Sequence, residues 1–187
     1  MPERPLTGSP ATTAVRRVIT GASDAQESTF VIDDEVPAII NGTTGLGYWR
    51  IWGNDELNQI PLTAEHEWLR TVFPAVPEGH RVHVIEFPAD GADPLPAQGE
   101  WPPYGLAPDG RHDDPERPGM HWTDTIDVVV VIEGRIGVEQ GDGSVKVLER
   151  GEILVQNGAL HAWRLQDVPC RVVVVALGAS RAEAADR

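Results

Sequence analysis

Residues 119–134 read GMHWTDTIDVVVVIEG, and this stretch decides how the chain folds. Its apolar run at 128–132 is rich in β-branched residues, which predicts a core strand. Further strand patterns follow after tight turns, at 136–140, 144–148, 153–156, 161–165 and 171–177. Closely spaced strands without a helix between them imply an antiparallel sheet, which must close into a barrel or pair with a second sheet to protect its edges.

The residues before this stretch form shorter pieces, broken by many of the 16 prolines and 19 glycines. Strand patterns lie at 16–19, 29–32, 47–52 and 81–87, and a single helix is predicted at 62–73. We expect a flexible arm at 1–14, an N-terminal extension packed on a barrel at 15–80, the barrel at 81–178 and a tail at 179–187. A long polar loop at 88–118 precedes the decisive stretch, and its last part is a candidate lid.

The composition of the 187 residues is that of a globular protein, with 41% apolar and 24% charged residues. Acidic residues number 29 against 15 basic ones, so the formal net charge is −14, and we expect no nucleic-acid partner and no membrane surface. A single cysteine, Cys170, cannot form an internal disulfide. This and the absence of a signal-like segment predict a cytoplasmic protein.

His121, Thr123 and Asp127 have the same parity in the decisive stretch, so on a strand they face one side. A straight strand would hold His121 and Asp127 roughly 20 Å apart, at ~3.3 Å per residue, which is too far for both to reach one ion. We therefore predict a bend around Asp124 and Thr125, residue types that are common in turns and β-bulges.

Residues 151–165 read GEILVQNGALHAWRL and supply a second histidine, His161, shortly after a turn at Asn157 and Gly158. Antiparallel pairing of the two stretches would bring His121, Asp127 and His161 around one point. Two histidines and one carboxylate then form a ligand face that leaves coordination positions open for substrate or oxygen.

The two stretches resemble the paired signature of the cupin superfamily, whose members are small antiparallel β-barrels of the jelly-roll type. In the first signature His121 keeps its place, Thr123 stands where a second histidine is usual, and Asp127 stands in place of glutamate, with six residues between it and Gly134. In the second, Gly158 and His161 keep their spacing, whereas Leu165 replaces the usual asparagine. The resemblance covers roughly residues 81–178 and predicts an all-β fold with one short helix and an N-terminal extension.

The resemblance implies that His121, Asp127 and His161 bind one divalent metal ion and act in catalysis, with Thr123 and Trp163 lining the substrate pocket. The metal is expected to be iron, with manganese, nickel or zinc as alternatives. The implied function is a non-haem iron oxygenase, of dioxygenase type, acting on a small organic molecule. The resemblance and the need to cover sheet edges also predict a homodimer.

Three other functions stay open at this stage. The same metal, acting as a Lewis acid, would support an isomerase, lyase or cyclase. Without a metal, the fold would be a non-catalytic barrel that binds a small molecule, or an acid–base enzyme that uses a histidine and Asp127. The remaining candidates are assigned no chemistry: His83 is interpreted as a strand histidine and Cys170 as a small buried hydrophobe.

Overall fold

The computed structural model describes residues 13–22, 27–56, 60, 77–100 and 110–181. These residues form thirteen β-strands and include no helix: β1 Val15–Ala22, β2 Ser28–Val36, β3 Ile39–Ile40, β4 Gly47–Asn54, β5 His80–Phe87, β6 Arg111–Asp113, β7 His121–Thr123, β8 Thr125–Glu133, β9 Arg135–Gln140, β10 Val145–Glu149, β11 Ile153–Asn157, β12 His161–Arg164 and β13 Cys170–Gly178. The predicted helix at 62–73, most of the predicted arm and most of the tail lie outside the described residues.

The strands form three antiparallel sheets. One has six strands in the order β11-β8-β13-β5-β4-β3, one has five in the order β10-β9-β12-β7-β6, and β1 and β2 make a separate two-stranded ribbon. The chain changes sheet at Asp124, which lies between β7 in the five-stranded sheet and β8 in the six-stranded sheet. The predicted bend is therefore confirmed.

The two large sheets pack face to face on an apolar core. Because side chains alternate along a strand, every second residue of β8 and β13 points into this core. The five-stranded sheet closes the cluster with Ile136, and Trp163 packs against its edge. The buried residues of this core cluster come from both sheets: Phe87, Val129, Val131, Ile136, Cys170, Val172 and Val174.

The described sheets stay open and do not close into a barrel, which corrects one part of the predicted fold. Both sheets have free edge strands, β10 in one and β11 in the other. A sandwich of two sheets buries the same apolar faces as a barrel and needs no continuous ladder around the core. The all-β antiparallel class itself is confirmed.

The N-terminal segment does more than pack on this core. Strands β3 and β4 extend the six-stranded sheet, since β4 pairs antiparallel with β5 along its length. A second cluster on the outer face of that sheet joins Trp49 and Val84 to Val36 and its neighbours. The predicted loop at 88–118 likewise contains a strand, β6, which pairs with β7.

A helix long and apolar enough to cross a bilayer is absent from the described part of the chain.

The turn at Gly134 joins β8 to β9 and is the tightest backbone approach among the described glycines. Gly134 has a φ of +68°, and a Cβ at this position would lie 1.8 Å from the carbonyl oxygen of Pro169. Gly143, at the tip of the hairpin between β9 and β10, has a φ of +82° but no atom within 4 Å of its Cβ position. A side chain at Gly134 would meet both backbone strain and steric overlap, whereas one at Gly143 would meet backbone strain alone.

We predict that Gly134→Ala lowers the free energy of unfolding by on the order of 4 kcal/mol, or prevents folding, because backbone atoms must move. Gly143→Ala, the control, should cost only about 1–2 kcal/mol from its positive φ. Urea denaturation of both variants measures the difference. Equal losses in the two variants would contradict the steric account.

Candidate functional site

His121 and His161 form a pair in the five-stranded sheet. They are opposite one another in the register of β7 and β12, and their ring centroids are 4.5 Å apart. Both are buried, with 9% and 3% of their surface exposed. Antiparallel pairing of the two strands therefore brings these two histidines of the predicted three together.

The hydrogen bonds of both rings determine their tautomers. His121 Nδ1 lies 3.1 Å from the carbonyl oxygen of Gly119, and His161 Nδ1 lies 2.8 Å from that of Ala159. A carbonyl oxygen only accepts, so each Nδ1 must carry the proton and donate it. Each Nε2 therefore has a lone pair, the state in which histidine binds a metal ion or accepts a proton from a substrate.

Burial keeps the two imidazoles neutral. It lowers the pKa of His121 to about 4, helped by the positive charge of Arg111 on β6. Burial also lowers the pKa of His161, against the raising effect of its hydrogen bond to Ala159. At neutral pH both rings can thus act as ligands or hydrogen-bond acceptors without first losing a proton.

Asp127 lies in β8, on the six-stranded sheet. Its Oδ1 is buried and has no hydrogen-bond partner among the described residues. Burial raises the pKa of Asp127 to about 6, and a hydrogen bond from Thr125 opposes part of this rise. A carboxyl with a pKa near neutrality can exchange a proton with a bound molecule at physiological pH.

Two glutamines connect the sheet of the histidines to the sheet of Asp127. Gln140 is opposite His161 in the register of β9 and β12, and Gln156 is opposite Asp127 in that of β11 and β8. Gln140 Nε2 donates a hydrogen bond of 3.2 Å to Gln156 Oε1. The interior therefore holds two polar rows, one on each sheet, joined by this amide contact.

The structure does not place Asp127 in a ligand group with the two histidines. The described residues contain no group of three or more His, Cys, Asp or Glu side chains that could hold a metal ion. The physical reason is the change of sheet at Asp124: it carries Asp127 to the sheet facing the histidines, where its register neighbours are Gln156 and Ala176. The neutral pair with its open Nε2 atoms fits a divalent ion, and the predicted third ligand is not beside it.

The two predicted pocket residues have different surroundings. Thr123 is buried, and its hydroxyl lies 2.7 Å from that of Thr125, so it is engaged within the protein. Trp163 contacts His161 edge-on, with a centroid distance of 5.8 Å, and Phe87 with one of 5.3 Å. Trp163 thus forms an apolar wall beside the pair.

Sequence reasoning missed Thr125, Gln140 and Gln156 as parts of this site. Glutamine has no motif at these positions, and only the strand register shows that Gln140 and Gln156 face inward. The alternation of burial in β11 offers one signal, since Gln156 is the buried residue of an otherwise largely exposed strand.

The residues to which the sequence assigned no chemistry lie outside this arrangement. His83 is fully buried in β5 and packs against Tyr48, and burial lowers its pKa to about 3. Burial raises the pKa of Cys170 to about 12, which agrees with its interpretation as a small hydrophobe. The candidate lid is predicted at 105–119; its residues 105–109 lie outside the described residues, and Arg111–Asp113 form β6.

We predict that Asp127→Asn stabilises the protein at high pH. The pKa of the carboxyl is about 6 in the folded protein, against 3.8 for an aspartate in water, so the folded protein holds the proton more tightly. Wild-type stability is therefore fully present below about pH 4 and falls as pH rises through 6. The variant should gain about 3 kcal/mol over wild type at pH 8 relative to pH 3.5.

Denaturant unfolding of both proteins at several pH values measures this gain. Asp93→Asn, which makes the same substitution at an exposed position, is the matched control. A constant difference between Asp127→Asn and wild type at all pH values would show that the carboxyl is not held protonated by burial.

Comparisons with known proteins give short or distant matches. No family model matches the chain. A stretch of 52 residues is 42% identical to the phomopsin biosynthesis cluster protein C′ of Diaporthe leptostromiformis, covering 26% of this chain and 28% of that protein. A stretch of 47 residues is 43% identical to the oryzines biosynthesis cluster protein J of Aspergillus oryzae, covering 25% and 26%. The chain thus spans about a quarter of the length of the curated relatives it matches.

Among solved structures, an RmlC-like cupin from Shewanella frigidimarina is 14% identical, with a TM-score of 0.44 over 78% of this chain and 86% of that one. A putative ethanolamine utilization protein from Salmonella typhimurium is 9% identical, with a TM-score of 0.44 over 90% and 99%. Two facing antiparallel sheets, joined by a strand that changes sheet between the histidine and the acid, form a double-sheet jelly roll.

Proposed function

We propose that this protein is an enzyme that acts on a small organic molecule bound beside His121 and His161, with one divalent metal ion as cofactor. The single observation that carries the proposal is the state of the histidine pair. Two buried neutral rings, 4.5 Å apart, have Nδ1 engaged by backbone carbonyls and Nε2 open. With each Nδ1 proton donated to the backbone, both Nε2 lone pairs are free to bind a ligand from the same side of the sheet.

Iron is the metal we propose first, with manganese, nickel and zinc as alternatives. His121 and His161 would hold it, whereas Asp127, which the structure does not place beside them, is left to proton transfer. When bound, iron would supply dioxygen chemistry and any of the four metals would supply Lewis-acid polarisation. An oxygenase is thus the leading reaction class, and an isomerase, lyase or cyclase is the alternative.

The chain's own residues have separate tasks in this proposal. The backbone carbonyls of Gly119 and Ala159 keep the two rings in one tautomer and one orientation. Trp163 and Phe87 provide an apolar wall that excludes water and packs against an apolar part of the substrate. Asp127 holds or releases a proton at its carboxyl, because its pKa of about 6 permits both states near neutral pH.

The small-molecule substrate is supported by the matched relatives as well. Both are named as proteins of biosynthesis clusters, for phomopsin and for oryzines. We propose that this chain acts in the biosynthesis or modification of a small molecule of that general kind. A cytoplasmic location remains part of the proposal.

A metal-free acid–base enzyme is the second candidate, and the raised pKa of Asp127 favours it. In this case Asp127 alone transfers the proton and the histidines bind the substrate by hydrogen bonds. Activity would then survive chelators. A non-catalytic binding barrel is the third candidate and would turn over no substrate.

We predict about one metal ion per chain in protein purified without added metal, measured by elemental analysis. His121→Ala and His161→Ala should each lower the bound metal at least about tenfold, because two imidazoles no longer act together. The control is His112→Gln, which changes a histidine of β6 that stacks on Trp122 outside the pair. No metal in wild type, even after anaerobic reconstitution with the four metals, would exclude the leading proposal.

We also propose that the protein forms a homodimer through the free edge at β11. Ile153 and Val155 in this edge strand are 60% and 59% exposed, an unfavourable state for aliphatic side chains next to an open backbone ladder. Val155→Lys should convert the dimer to a monomer in light scattering, whereas Val145→Lys on the β10 edge should leave it intact. A monomeric wild type would contradict this proposal.

A further inference from the structure

Gln156 is one of the buried polar residues of the interior. It lies in β11, is 4% exposed and is opposite Asp127 in the register with β8. Its neighbours along the strand are exposed, so the strand turns this one amide inward. A buried amide must be hydrogen-bonded at both ends to avoid a free-energy penalty.

Both ends of this amide have partners, and they determine its orientation. Gln156 Nε2 donates a hydrogen bond of 2.8 Å to the carbonyl oxygen of Ala159, and Gln156 Oε1 accepts one of 3.2 Å from Gln140 Nε2. A flipped amide would turn its oxygen toward the Ala159 carbonyl oxygen, which cannot donate. The observed orientation is therefore the one that satisfies both ends.

The carbonyl of Ala159 is also the oxygen that accepts the proton of His161 Nδ1, at 2.8 Å. A carbonyl oxygen has two lone pairs, so it can accept from the amide and from the ring together. Ala159 lies between β11 and β12, outside any strand, so no sheet ladder fixes the direction of its carbonyl. The Gln156 side chain supplies the second contact that holds this oxygen in place.

We propose that Gln156 is a positioning residue for His161. It fixes the Ala159 carbonyl, and this carbonyl fixes the His161 ring in the tautomer that leaves Nε2 open. Gln140 holds Gln156 from the other side, so the orientation of a histidine on one sheet depends on an amide from the facing sheet. The effect of Gln156 on metal binding rests on the proposed function of His161, whereas its effect on the His161 tautomer does not.

His121 provides an internal reference for the test. Its Nδ1 donates to a different carbonyl, that of Gly119, so it should not respond to a change at Gln156. Gln166 provides a matched control variant, because its amide also donates to backbone carbonyls, those of Arg164 and Leu165, in the loop after β12.

The experiment measures the side-chain ¹⁵N chemical shifts of the histidines in metal-free protein at pH 7.5. Wild type should show His161 almost wholly with the proton on Nδ1. In Gln156→Met, which keeps the length but loses the donor, the other tautomer of His161 should become populated, while His121 stays unchanged. Gln156→Leu also loses the donor and brings in no group that can ionise, so it gives the same shift and serves if the methionine variant does not fold. Gln166→Ala should leave both rings as in wild type.

Cobalt(II), used as a probe metal, gives the functional readout. Each Gln156 variant should bind cobalt about tenfold more weakly than wild type, followed by the visible absorption of the bound ion. A wild-type tautomer for His161 in both variants overturns the inference, even if wild type binds cobalt. A changed tautomer supports it, even if wild type binds no metal, and in that case the proposed function fails alone.

Discussion

The change of sheet at Asp124 is the constraint on which the site depends. His121 and Asp127 are six positions apart in sequence, and a straight strand would hold them far apart on one sheet. Because the chain crosses to the facing sheet at this point, both residues point into the same interior from opposite walls. The register of β12 with β7 then adds His161 beside His121. Two strand pairings and one bend therefore create a polar interior from residues far apart in the chain.

Burying the polar side chains of this interior lowers the stability of the fold, and the burial of the apolar core offsets that loss. Burial works against every charged form in it, which is why the pKa of His121 falls and that of Asp127 rises. Backbone carbonyls and the Gln140–Gln156 contact satisfy part of the buried polar surface. They leave Oδ1 of Asp127 without a hydrogen-bond partner among the described residues, and they engage only the Nδ1 atom of each histidine. Buried polar side chains that are held by hydrogen bonds at one atom, and have no partner at another, are typical of a binding or catalytic site.

More of the fold than of the candidate site could be predicted from the sequence. The strand patterns from residue 119 onward, the bend at Asp124 and the pairing of the histidines were all predictable, because alternation and turn residues act locally. The two-residue strand β3 and the short β6 were missed, since pieces of two or three residues carry no periodic pattern. Barrel closure was predicted in error, because the distance between two packed sheets is set by the side chains between them. For the same reason the spacing of His121 and Asp127 in sequence could not tell how far apart they lie in space, and Gln156 became visible only through its register.

Cys170 has a practical consequence for work on this protein. It is the only cysteine of the chain, and burial raises its pKa to about 12, so the reactive thiolate is scarcely present at neutral pH. A cysteine introduced on an exposed strand would therefore be the one thiol that a maleimide reagent modifies quickly. Pairs of dyes or spin labels can be attached in this way without first removing the native residue, and the separation of the two sheets can be followed in solution as a ligand binds.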